Sequence, residues 1–86
     1  MQHLIILQIK EPLKEQVISR IKERWQWAKI TPDVWCIVSH NSCFDIRDEL
    51  CVGLKSEDRI LVVDITDSSW ASRNLPDQIS TWLKND

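Results

Sequence analysis

Eighty-six residues, 43% hydrophobic and 28% charged, describe a single domain over residues 1–86, too short to hold two independent cores. A net charge of −2 gives no global attraction to nucleic acid or anionic membrane, although a local basic patch stays open. One glycine and three prolines leave little room for linkers or disorder.

No apolar run approaches the ~18–20 residues that span a bilayer, and the N-terminus lacks the basic, apolar and small-residue order of a signal peptide. Cys36, Cys43 and Cys51 are odd in number and form no C-x-x-C pair, which fits reduced thiols. The expectation is a cytoplasmic protein without a membrane partner.

Residues 4–9, "LIILQI", read as a strand buried on both faces, with Gln8 as its polar exception. Glu11 and Pro12 start a helix whose apolar stripe is Leu13, Val17, Ile18, Ile21 and Trp25. Residues 26–30 suit a short strand, Thr31-Pro32-Asp33 a turn, and "VWCIVS" (34–39) a second β-branched strand. Ser42 is positioned to cap the next helix, with Asp45 three residues on and Cys43, Ile46, Leu50 and Leu54 as its buried stripe. "RILVVDIT" (59–66) is the last strand, "DSSWASRNLPD" an irregular connection, and residues 76–84 a final helix.

The order βαββαβ plus a helix predicts an α+β, ferredoxin-like sandwich with an extra C-terminal helix. Two helices cover one face of the sheet. The first and last strands are apolar on both sides, so the open face needs a cover: a second subunit, giving a homodimer, or the C-terminal helix. Val62 is expected to be a position where a charge would disturb that open face.

Five tryptophans stand out. Core packing accounts for Trp25, Trp35 and Trp82. Trp27 and Trp70, with Lys29 and Arg73 nearby, are the candidate binding residues, either stacking on the bases of a nucleic acid or rimming a protein interface. Cys36, His40, Cys43 and Cys51 match no standard zinc spacing, and no metal ligand set is assigned.

"VWCIVS", the "IRDEL" helix, "DRILVVDIT" and the terminal "WLK", in that order, resemble small bacterial proteins of the SinR family. These are similar to the small CRISPR-adaptation subunit and to VapD-type interferases. The resemblance covers nearly the whole chain and implies a dimeric ferredoxin-like fold. In the nuclease relatives the first strand ends in a metal-binding aspartate, and Gln8 stands at that position here. A neutral amide is a weak ligand for Mg²⁺ and no general base. No pair of carboxylates is expected to converge on Gln8. Asp64, read on the open side of the sheet, and Asp67 just beyond the last strand are the substitutes left. Two readings follow: a non-catalytic dimeric module that binds a protein or nucleic-acid partner without a cofactor, or a Mg²⁺-dependent nuclease using Asp64 or Asp67.

Overall fold

The computed structural model describes residues 1–84. Its elements are β1 (Gln2–Gln8), α1 (Leu13–Arg24), β2 (Gln26–Thr31), β3 (Val34–Val38), α2 (Cys43–Leu50), β4 (Arg59–Asp64) and α3 (Asp77–Lys84). The fold is α+β: a four-stranded, wholly antiparallel sheet in the order β2-β3-β1-β4, with three helices. The unit β1-α1-β2 spans β3, and the unit β3-α2-β4 spans β1.

Local chemistry sets the element ends. Pro12 has no N–H to give and sits at the N-cap of α1, while the Glu11 carboxylate accepts the Glu15 N–H at 2.9 Å. The helix therefore begins at Leu13 rather than at Glu11. Ser42 caps α2 by accepting the Asp45 N–H at 3.1 Å, the bond its spacing predicts. α2 ends at Leu50, so Leu54 packs on the core from the following turn instead of extending the helical stripe. The Arg20 guanidinium of α1 donates to the Val52 carbonyl at 2.9 Å and to the Leu50 carbonyl at 3.5 Å, supplying donors where α2 has run out of its own. β4 stops at Asp64, two residues before the expected end, because the Asp64 carboxylate takes the Thr66 N–H at 2.9 Å and turns the chain.

Alternation along the strands divides the side chains between two faces. Ile5 and Leu7 of β1 and Trp35 and Ile37 of β3 point at the helices, where they meet Val17 and Ile21 of α1 and Ile46 and Leu50 of α2 in the buried core. Ile60 and Val62 of β4 pack against the same cluster. Val62 thus faces the helices, contrary to its expected place on the open side. Asp64 shares that parity and is likewise on the helix side, not the open side, where Leu61 and Val63 alternate with it.

The open face is only half covered. α3 packs against β2, and the Gln2 side-chain amide donates to the Leu83 carbonyl at 3.0 Å. Ala28 and Cys36, cross-strand neighbours on this face, are buried. Farther along the sheet, Ile6 is 37% exposed, Leu61 56% and Val63 38%. The C-terminal helix and the segment before it therefore cover β2, β3 and the start of β1, where Gln2 is buried and Leu4 half-buried, and leave Ile6, Leu61 and Val63 bare.

Ile37 is fully buried at the centre of the core. Ile37→Ala is expected to cost about 2–5 kcal/mol in urea unfolding, through lost transfer energy and the cavity left behind. Val52→Ala, at an exposed position, is expected to change stability by less than about 0.5 kcal/mol.

Candidate functional site

Three groups of polar and aromatic residues are candidates, and the sheet register decides which of them cooperate. The first lies at the end of β1. Gln8 pairs with Arg59, the first residue of β4. The residues just before β4 are thereby brought alongside, and a pocket of about 290 Å³ is lined by Gln8, Ile9, Lys10, Glu57, Asp58 and Arg59. Glu57 and Asp58 therefore share a pocket lining with Gln8, a neighbourhood the sequence reading did not name. The signal was available in the sequence: antiparallel neighbours put the start of the last strand beside the end of the first.

This pocket does not fit a divalent metal. The Asp58 carboxylate is already engaged, accepting the Lys55 N–H at 2.8 Å within the turn. Glu57 is then opposed by two cations, Lys10 and Arg59, that line the same space. A hard cation needs several oxygen ligands with surplus negative charge, and Gln8 adds only a neutral one. Among the described residues, no group of three or more His, Cys, Asp or Glu is disposed around a common point for a metal ion.

Asp64 and Asp67 lie at the other end of the sheet. Asp64 pairs with His3, five residues along β1 from Gln8, or roughly 16 Å at strand rise. Neither acid can substitute at the Gln8 position. Hydrogen bonds from the Thr66 hydroxyl and then its backbone N–H hold the Asp64 carboxyl below its ordinary range, with His3 adding a smaller pull. Asp67 adopts φ 58°, the left-handed turn conformation that aspartate tolerates. Both acids shape the turn after β4.

The cysteines are also divided. Cys36 is buried on the α3 side of the sheet, whereas Cys43 and Cys51 stand at opposite ends of α2 on the other side. Burial pushes the Cys51 thiol up, away from the thiolate that a metal requires. These residues share no site.

The second group is Trp27 with Lys29, and the structure separates it from Trp70 with Arg73. Trp27 and Lys29 sit on the helix side of β2, facing α1. A groove of about 490 Å³ there is lined by Glu15, Lys22, Trp27, Lys29 and Trp35 among others. Sequence reasoning missed Lys22 and Lys14 as part of this groove, although both lie on the polar face of α1 within reach of the β2 edge. Trp70 belongs to the segment after β4 and lies on the opposite face. There it lines an apolar cavity of about 180 Å³ with Leu4, Ile30, Ile65, Leu75 and Leu83. Arg73 travels with that segment and is exposed. The four residues form no single surface.

The third group is the bare apolar strip of the open face. Ile6 is directly opposite Leu61, and Leu4 opposite Val63. Cross-strand neighbours lie about 5 Å apart, so these side chains are contiguous. No helix among the described residues is long and apolar enough to cross a membrane.

A scan against protein-family models and a search of curated proteins gave no match to this chain. The site is thus interpreted from its own chemistry.

His3 is buried at the start of β1, its Nδ1 without a hydrogen-bond partner. Burial lowers its pKa from the ordinary 6.5, partly offset by the adjacent Asp64 carboxylate. The unfolded chain therefore takes up the proton first, and stability falls as pH drops below 6.5 toward the folded-state value. Asp64 acts in the same direction in a lower window, as pH falls below 3.8. The thermal midpoint is expected to decline between about pH 7.5 and about pH 5.5, and less so in His3→Leu. An equal decline in both proteins would remove His3 from this account.

Proposed function

We propose that this protein is a non-catalytic dimeric interaction module with a ferredoxin-like arrangement, akin to the SinR family proteins, the small CRISPR-adaptation subunit and the interferases. The strand order β2-β3-β1-β4 with two interleaved strand–helix–strand units supports the arrangement. Gln8 at the position of the relatives' metal-binding acid supports the absence of phosphodiester chemistry, and so does the presence of Lys10 and Arg59 in the lining of the pocket around it.

The observation that carries the dimer is the half-covered open face. Ile6, Leu61 and Val63 make a contiguous exposed apolar strip, with half-buried Leu4 beside it and Arg59 at its end, and a second copy meeting it across a two-fold axis would cover those side chains. An 86-residue chain buries a modest share of its surface alone and gains from such a partner.

The nuclease reading required Asp64 or Asp67 to act where Gln8 stands, and the register separates them from it. Incubation with RNA and duplex DNA in Mg²⁺ or Mn²⁺ is expected to leave both intact. Cleavage abolished by Glu57→Gln would contradict the non-catalytic reading.

Leu61→Lys places a charge in the middle of the strip. Sedimentation is expected to show a species of about twice 10.1 kDa for the unaltered chain and 10.1 kDa for the variant. A mass that the substitution leaves unchanged rules this interface out. Val62→Lys would instead place its charge on the helix side, against the core, and lower stability without testing the interface.

A further inference from the structure

We propose that the groove between α1 and β2 binds a planar aromatic group carrying phosphate, the unit presented by a single-stranded nucleic acid or a free nucleotide. The proposal rests on the reading that the chain works by binding, and it names the ligand; it does not depend on the dimer.

The groove is built from a fixed ring and an accessible one. Trp35 is buried, and its indole N–H donates to the Pro32 carbonyl at 3.1 Å, which holds the ring in place. Lys29 pairs directly with Trp35, and Trp27 with Ile37, so the two tryptophans are diagonal neighbours on one face of the β2–β3 pair. Their centroids are 5.4 Å apart with planes tilted by 52°. Trp27, on the edge strand, is 40% exposed.

Two ammonium groups bracket these rings. Lys22 Nζ lies 5.0 Å from the Trp27 centroid and 5.5 Å from that of Trp35. Lys29 Nζ lies 6.0 Å from the Trp35 centroid. Among the described residues the ion pairs are Lys14–Asp33, Arg24–Glu49 and Arg47–Asp48, so neither Lys22 nor Lys29 is neutralised by a carboxylate. Glu11 and Glu15 line the same groove without an ion pair to either lysine among the described residues. Glu11 caps α1, and Glu15 stands seven residues before Lys22, about 10 Å along the helix. Over the tryptophan rings themselves the groove presents ammonium groups.

That placement selects the occupant. A cationic ligand would meet Lys22 and Lys29 over the same rings. A purely apolar one would strip water from two ammonium groups and give nothing back. A base stacked on Trp27 with its phosphate on Lys22 and Lys29 satisfies both the ring and the charges. The net charge of −2 confines this attraction to the groove.

The test is fluorescence anisotropy of a labelled single-stranded RNA of about twelve nucleotides, with adenosine monophosphate and inorganic phosphate as competitors. Binding is expected to weaken about tenfold or more in Trp27→Ala, to survive in Trp27→Phe, and to be unchanged in Trp70→Ala on the opposite face. Lys29→Ala is expected to flatten the salt dependence by about one phosphate contact while leaving the fold intact by circular dichroism. Displacement by adenosine monophosphate identifies a pocket that also accepts the free nucleotide. Strand binding that the mononucleotide does not displace identifies the polymer as the ligand, and both results support the proposal. Absence of binding overturns it, as does wild-type affinity in Trp27→Ala or displacement by inorganic phosphate as effective as by the nucleotide. Sedimentation of the same samples reads the dimer separately, so loss of RNA binding with an intact dimer removes the groove alone.

Discussion

The packing of β1 between β3 and β4, with both of its faces apolar, is the constraint on which the rest of the molecule depends. One face of this strand supplies Ile5 and Leu7 to the core beneath α1 and α2. The other supplies Leu4 and Ile6 to a surface that those helices cannot reach. Because strand side chains alternate strictly, the second surface cannot be removed without shifting the register and exposing the first. On that second surface, α3 and the segment before it cover β2, β3 and the start of β1. What remains bare is the strip at β1 and β4, beside an edge strand.

The same register keeps the chemical groups apart. Antiparallel pairing of β1 with β4 places Arg59, and with it Glu57 and Asp58, next to Gln8, while Asp64 goes to the far end with His3. Acids that look close to one another in the sequence, 57, 58, 64 and 67, are thus distributed between two ends of the sheet. At one end the carboxylates share a pocket lining with Lys10 and Arg59; at the other Asp64 serves a turn. The sheet likewise separates Trp27 from Trp70. Lys22 and Lys29 lie at Trp27, in the groove against α1, and the apolar cavity forms at Trp70.

Much of this was legible in the sequence. The element order, the Ser42 cap and the buried stripe Val17–Ile21 follow from spacing, because local hydrogen bonds and helical periodicity act over a few residues. The apolar character of both faces of β1 was equally plain. Two placements were not. Val62 and Asp64 went to the helix side because in a strand like "RILVVDIT" either parity leaves aliphatic residues on both faces, and only the pairing Ile5–Val62 with the core settles which is which. Lys22 joined Trp27 because α1 lies along β2, a tertiary relation that no spacing encodes. Glu57 and Asp58 beside Gln8 were within reach of topology alone, since antiparallel neighbours exchange their ends.

The proposal that a second copy covers what α3 leaves bare on the open face is tested most directly on the methyl groups of that face. Attenuation of methyl NMR signals by a soluble paramagnetic agent can be compared at low and high protein concentration. The Ala28 methyl is expected to be shielded at both, under α3, whereas those of Ile6, Leu61 and Val63 become shielded only as concentration rises. Equal attenuation of Leu61 and Val63 at every concentration would contradict the account, because it would leave the apolar strip with no second copy upon it.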